Sequence, residues 1–149
     1  MKLTAFTDYS LRVLIYLATE PDRRATVAEI CTAFDIKANH LTKVVHHLAK
    51  CGWVATVRGK GGGLVLAMPA EQIRIGRVVR DTEGLAQPAE CFSDGQSHCA
   101  IVRSCRLKGV LAEAVDAFHA VLDRYTLADI TRNRAALAQV LHFTPTRAA

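Results

Sequence analysis

Thr26-Val27-Ala28-Glu29-Ile30-Cys31-Thr32-Ala33-Phe34, then Asp35-Ile36-Lys37, then Ala38-Asn39-His40-Leu41-Thr42-Lys43-Val44-Val45-His46-His47-Leu48-Ala49-Lys50-Cys51: two helical patterns flank one tight turn. The first opens with a capping box, Thr26 at the cap and Glu29 three residues on. Val27, Ile30, Cys31 and Phe34 give it a buried stripe, in which Cys31 reads as a small apolar core side chain. The second keeps Leu41, Val44, Val45 and Leu48 on its inner side and can stop at Gly52 as a C′ residue. Its outer side displays Asn39, His40, Lys43, Lys50 and one or both of His46 and His47. Lys37 stands where Ser, Thr, Asp or Asn would cap the helix. A cation there is easier to explain by a phosphate than by the needs of the helix.

Working outward, residues 53–57 and 64–67 have strand composition, and Arg58-Gly59-Lys60-Gly61-Gly62-Gly63 joins them as a basic, glycine-rich hairpin connection. Two short helices, a turn and a charged hairpin describe a winged helix-turn-helix. The glycine run is not a nucleotide-binding loop, since it lacks the Gly-x-x-x-x-Gly-Lys-Ser/Thr frame and a following helix. Upstream, residues 7–19 form a first helix, with Leu11, Leu14, Ile15, Leu17 and Ala18 at three- and four-residue spacing, Thr7 as its cap and Pro21 beyond its end.

Downstream, Ile73, Ile75, Val78 and Val79 predict a short helix ending near Glu83-Gly84. Residues 84–101 lack periodicity and read as a loop. A long helix follows from about Val102 to Tyr125, carrying Leu107, Val110, Leu111, Ala114, Val115, Phe118, Val121, Leu122 and Tyr125 as one apolar stripe. That stripe is longer than a small head domain needs, which favours helix against helix across a two-fold axis. The expected class is therefore mainly α, a winged helix-turn-helix with a long C-terminal dimerisation helix. It divides into a DNA-binding domain (1–83), a cluster-binding loop (84–101), a dimerisation helix (102–130) and a tail (131–149), loose over 144–149.

Charge follows the same division. Residues 1–70 carry nine Lys/Arg against five Asp/Glu, and residues 37–60 contain five basic side chains and no acidic one. A field of one sign over one sub-region favours a polyanion, and the lack of a long apolar face there favours nucleic acid over membrane. No run of apolar residues is long enough for a membrane span, and the polar, charged start excludes an export signal, so the cytoplasm is the expected compartment.

Five cysteines without an export signal point to metal, redox or core roles rather than a disulfide scaffold. Three of them cluster as Cys91-x7-Cys99-x5-Cys105 at the mouth of the long helix. Thiolates suit iron–sulfur centres and zinc alike, and a helix start helps keep Cys105 ionised. Spacing alone leaves an iron–sulfur cluster, zinc, a cluster-free thiol switch and structural thiols as readings, and His98 as a further ligand. Three thiolates leave a tetrahedral site one ligand short. No paired general base and acid points to an enzyme.

Roughly residues 1–130 resemble the iron–sulfur winged-helix repressors. The resemblance rests on Leu3-Thr4-x-Phe6-Thr7-Asp8-Tyr9-x-Leu11-Arg12, Asn39-His40-Leu41-x-Lys43-Val44, Arg58-Gly59-Lys60-x-Gly62-Gly63, the three cysteines, and Tyr125-Thr126-Leu127-Ala128-Asp129. It implies a homodimer in which Cys91, Cys99 and Cys105 ligate a cluster, [4Fe-4S] favoured over [2Fe-2S], with Asp8 of the partner subunit as fourth ligand. It further implies a repressor of a palindromic double-stranded DNA operator, released when nitric oxide attacks the cluster. DNA contacts then fall to Lys37, Asn39, His40, Lys43, His47, Arg58 and Lys60. The first cysteine interval, x7, is longer than the x5 of the best-known members, and related regulators with altered spacing respond to redox change or iron–sulfur supply.

Overall fold

The computed structural model describes residues 2–84, 88–92 and 98–141. Helix α1 (Ala5–Thr19) starts earlier than its periodicity predicts, because Thr4 rather than Thr7 is the cap: its hydroxyl accepts the Thr7 N–H at 3.2 Å. Thr7 itself is fully buried. The helix then becomes nearly all core, with Val13, Leu14, Tyr16, Leu17 and Ala18 buried. Its polar members inside the core bond their own helix, Ser10 to the Phe6 carbonyl and Thr19 to that of Ile15, each at 2.8 Å. A buried hydroxyl satisfied in this way avoids the desolvation cost of an unpaired one.

Helix α2 (Val27–Phe34) has the capping box in both directions: Thr26 Oγ1 accepts the Glu29 N–H at 3.2 Å and Glu29 Oε2 accepts the Thr26 N–H at 2.6 Å. It ends at Asp35 in the left-handed region, and helix α3 (Ala38–Lys50) follows. Leu41, Val44, Val45 and Leu48 of α3 are buried as the periodicity predicts. Gly52, with φ 79°, closes α3 by a Schellman motif, its N–H bonding the Ala49 carbonyl at 3.1 Å and that of Trp53 the Leu48 carbonyl at 2.9 Å.

Strands β1 (Val54–Val57) and β2 (Gly63–Leu66) pair antiparallel, from Val54 opposite Leu66 to Val57 opposite Gly63. Ala25, just ahead of α2, adds a short third edge by exchanging backbone bonds of 3.1 and 2.7 Å with Leu64. The fold is thus a winged helix-turn-helix, mainly α, with the wing stitched to the entry of α2.

Helix α4 (Ile75–Glu83) lies behind, entered through a 3₁₀ turn at Ala70–Gln72. The long helix, α5 (Arg106–Asp123), begins later than the expected Val102, because residues 100–104 are spent in turns closed by Val102 N–H to Cys99 O and Ser104 N–H to Ile101 O. The chain after α5 returns to the segment before α4, where Leu127 N–H bonds Ile73 O at 2.8 Å and Ile75 N–H bonds Tyr125 O at 3.0 Å. Helices α6 (Leu127–Ile130) and α7 (Arg134–Val140) are the last elements among the described residues. Residues read as a tail are therefore partly structural: Thr131 and Leu141 are buried, and Leu137 packs on the same core. Alanine-rich composition hid this, since only two leucines of that stretch reach the core. The loose end expected at 144–149 lies outside the described residues. Among the described residues no helix is long and apolar enough to cross a membrane.

Replacing Thr26 by Ala removes the hydroxyl that accepts the Glu29 N–H and donates to the Glu29 carboxylate, leaves the backbone N–H bond to that carboxylate, and should cost about 1 kcal/mol at neutral pH. Burial alone would raise the Glu29 carboxyl, but hydrogen bonds from Thr26 and the ion pair with Arg23 outweigh it and hold it below its ordinary value. A group depressed in the folded state stabilises above its unfolded pKa, and that contribution fades as pH falls through the folded one. Urea denaturation should therefore find the Thr26→Ala cost smaller near pH 3 than at pH 7, roughly by half.

Candidate DNA-reading surface and cysteine loop

The outer face of α3 is open. Asn39, His40, Lys43, His46 and Lys50 are exposed, as is Lys37 ahead of the helix. Lys37 makes no side-chain cap hydrogen bond and the first turn of α3 holds no acidic residue, so the positive end of the helix is left uncovered beside a cation. Such an end binds phosphate through its unpaired N–H groups. At the wing tip Arg58 and Lys60 are exposed. The two glycines after them are required by packing: a Cβ on Gly62 would run into the Val57 carbonyl, and one on Gly63 would stand 2.8 Å from the Ala25 carbonyl. Arg24, which sequence reading passed over, donates from Nη1 to the Gly61 carbonyl at 2.9 Å and props the tip from the side of α2. No spacing rule flags it, because its partner lies 37 residues away.

His47 is placed differently from the rest of the predicted contact set. It is half-buried, its ring meets Phe6 edge-on at 5.3 Å, and its Nε2 lies 2.8 Å from the Asp81 carbonyl. The side chain is engaged inside the fold, and of the His46–His47 pair it is His46 that lies on the open face.

The cysteines form the second part of the site. All five are reduced thiols. Burial pushes the Cys31 thiol up, and burial followed by the nearby Asp81 charge does the same to Cys51, so neither is a ready thiolate. Cys91 lies in the 3₁₀ turn Glu90–Phe92, Cys99 ahead of the turns at 100–104, and Cys105 at the cap position of α5; each is half-buried. The two sides of the loop are drawn together at their neighbours, His98 N–H donating to Glu90 Oε1 at 2.7 Å. Lys108 over the Phe92 ring, at 5.8 Å, ties the Cys91 turn to the first turns of α5. Cys105 makes no side-chain cap bond, so its sulfur stands at the open N-terminal end of α5.

Among the described residues no three of His, Cys, Asp or Glu stand close enough together to hold a metal ion. The donor set, three thiols at one junction, fits an iron–sulfur centre in kind, while its closure requires the loop to tighten or a further donor to arrive. Asp8 is held within its own helix by Arg12, Nη2 to Oδ2 at 2.7 Å and Nε to Oδ1 at 3.2 Å. Arg12 also sits over Tyr9 and Phe34, at 6.0 and 5.8 Å from the ring centroids.

The surface of α5 is unusual for its length. It contributes no buried residue, and its contacts with the core come from Phe118 and Leu122 near its end. Leu107, Val110, Val121 and Tyr125 are 45–60% exposed.

The family model described as "Rrf2: Iron-dependent Transcriptional regulator" matches residues 3–133. The chain belongs to the Rrf2 family of transcriptional regulators. Relatives within reach of the whole chain bear the name HTH-type transcriptional regulator NsrR: that of Halalkalibacterium halodurans is 44% identical, covering 97% of this chain and 100% of its own. That of Bacillus subtilis is 47% identical over 95% and 97%. Among solved structures, the global cysteine regulator CymR of B. subtilis superposes with TM-score 0.71 at 25% identity, over 89% of this chain and 98% of that one. IscR of T. potens gives 0.72 at 25% identity, over 93% and 91%. Rrf2-family membership makes the winged helix a DNA-binding head and the chain a regulator rather than an enzyme.

The uncovered start of α3 gives a prediction with two opposite signs. Lys37→Ser supplies a cap and should stabilise the protein by about 1 kcal/mol in a thermal melt. The same change should weaken DNA binding and lower its salt slope by about one. Equal or tighter binding would show that no phosphate meets this end.

Proposed function

We propose that this Rrf2-family chain is a cytoplasmic, homodimeric, iron–sulfur-dependent repressor that holds a palindromic operator and releases it when nitric oxide attacks the cluster. The observation that carries this reading is the set of three half-buried thiols, Cys91, Cys99 and Cys105, at the junction between the head and a helix whose apolar face is left open. The relatives named NsrR support it. Cys91, Cys99 and Cys105 would hold the group, [4Fe-4S] rather than [2Fe-2S], with Asp8 of a second copy as the fourth ligand. When bound, the cluster supplies an iron whose carboxylate ligand is weaker and harder than thiolate, and so open to nitric oxide.

The chain's own residues do the rest. The start of α5 presents Cys105, and the Glu90–His98 bond narrows the loop. Arg12 keeps Asp8 ordered and has to yield it to the partner. Leu107, Val110, Val121 and Tyr125 cover the matching face of a second copy, an exposed patch of this kind being the mark of an interface. The dimer sets Asn39, His40 and Lys43 into successive major grooves, about 34 Å apart, with Arg58 and Lys60 at phosphate or the minor groove.

A second reading, a regulator of the same fold responding to redox state or iron–sulfur supply, is favoured by the long x7 interval between Cys91 and Cys99. Anaerobically purified protein should be brown, with iron and sulfide in equal amounts, and lose its visible absorption on adding nitric oxide. Colourless, zinc-containing protein would sink both readings, and bleaching by oxidants but not by nitric oxide would favour the second. Cluster-loaded protein should bind the operator at least tenfold more tightly than cluster-free protein at matched salt; equal binding would end the sensing proposal.

Within the reading surface, Lys43→Ala should relax base preference by about 1–3 kcal/mol at one position of each half-site. Lys60→Ala should weaken all sequences alike and lower the salt slope by about one per subunit. Binding titrations over operator variants and salt concentrations separate the two.

A further inference from the structure

The loop that carries the cysteines leaves the head at Gly84, so whatever happens at the loop reaches the head first through the last turn of α4. That turn is tied to three other elements. Arg80 makes a two-point ion pair with Asp123 at the end of α5. Glu83 Oε1 accepts the Thr4 N–H at the cap of α1, at 2.6 Å. Asp81, between them, is bonded twice to the end of the recognition helix: its carboxylate Oδ2 accepts the Trp53 indole N–H at 2.9 Å, and its carbonyl accepts from His47 Nε2 at 2.8 Å.

The chemistry of the His47 contact is fixed by its partner. A carbonyl offers lone pairs and no proton, so Nε2 carries the hydrogen and donates it. The Cys51 sulfur, 3.5 Å from the same nitrogen, can then only accept weakly. The ring is further held edge-on by Phe6, and Arg77 covers the Trp53 ring at 5.8 Å. Both bonds from Asp81 therefore meet α3 at its C-terminal end, one inside its last turn and one just past the Schellman closure. Helix α3 is 13 residues long, a stiff rod of about 20 Å. Displacement of one end by an ångström or so is carried to Asn39 and Lys43 at the other.

We propose that Asp81 is a positioning residue for DNA reading: with the last turn of α4 formed it latches the end of the recognition helix through His47 and Trp53, and when the cysteine loop rearranges it lets go. This rests on the reading of Cys91, Cys99 and Cys105 as the sensory ligands. The latch suits the task because a terminal helical turn opens at far lower cost than the core around it. Two neutral or singly charged hydrogen bonds also give a coupling of the usual size, on the order of tenfold in affinity.

The test compares operator affinity of cluster-loaded and cluster-free protein, at several salt concentrations, for wild type, His47→Ala and His47→Gln. Glutamine can place its amide nitrogen near the position of Nε2, so it restores the donor without the ring. The expected result is a loaded-to-free affinity ratio that falls at least fivefold in His47→Ala, with iron and sulfide content and salt slope unchanged, and that recovers in His47→Gln. A ratio unchanged in His47→Ala overturns the latch and leaves the cluster reading standing. So does a fall accompanied by loss of about one unit of salt slope, which would put His47 at a phosphate. A wild-type ratio of one overturns the cluster reading and the latch with it. A second measurement needs no variant: Trp53 is the chain's single tryptophan. Its indole N–H resonance should shift between loaded and cluster-free protein, and an unmoved resonance overturns the proposal.

Discussion

Helix α1 is packed on nearly every side, and that burial is the constraint on which the other elements depend. Val13, Leu14 and Ala18 have no exposure at all, and α1 touches α2, α3, α4, α6, α7 and β2. A helix that is apolar around most of its circumference cannot slide or turn without opening cavities on several faces at once, each costing roughly 2–5 kcal/mol per large side chain uncovered. The reading helix and α4 are therefore both referenced to the same rigid rod. What lies outside that packing is the periphery: the wing tip and the first half of α5.

The local chemistry of the head was legible in the sequence because each signal and its partner lie within one or two turns. The box at Thr26 and Glu29, the inner stripe of α3, Gly52 and the glycines of the wing all act over a few residues. Where the partner is distant, periodicity had nothing to register. Thr7 has the composition of a cap, but burial and the bond from Glu83 to Thr4 select the earlier start. His47 and Lys43 share a basic helix, and only Asp81, 34 residues on from His47, separates their roles. The late start of α5 and the short α7 were hidden for related reasons: turns at 100–104 contain Ile101 and Val102, which look like helix, and α7 shows the core little more than Leu137.

The candidate site divides in the same way. Three cysteines and the charge of the third helix are visible as composition, whereas their spatial relation is not. Cys91 and Cys99 are approached through the Glu90–His98 bond, and Asp8 is spoken for by Arg12. The sequence offered both carboxylate and guanidinium at helical spacing, a pair worth only a few tenths of a kcal/mol on an exposed helix. On the proposed reading, in which Asp8 exchanges partners, that weakness is an advantage, because Arg12 keeps its place over Tyr9 and Phe34 when the anion leaves.

The cysteine loop hangs between two supports of different kinds. At one end, the last turn of α4 is fixed to α1, α3 and α5 within a single chain. At the other, Cys105 begins a helix whose first eleven or so residues lend nothing to the core and whose apolar side chains need cover from elsewhere. On the proposed reading a ligand set spanning such a junction would feel both: tightening it would pull a helix covered by a second copy against a turn anchored inside the head. Helix α1, packed on so many sides, would absorb little of that pull, which would fall on the contacts of α4 with α3. In the proposed mechanism a change at three sulfur atoms would in this way alter DNA reading without any of them approaching the DNA.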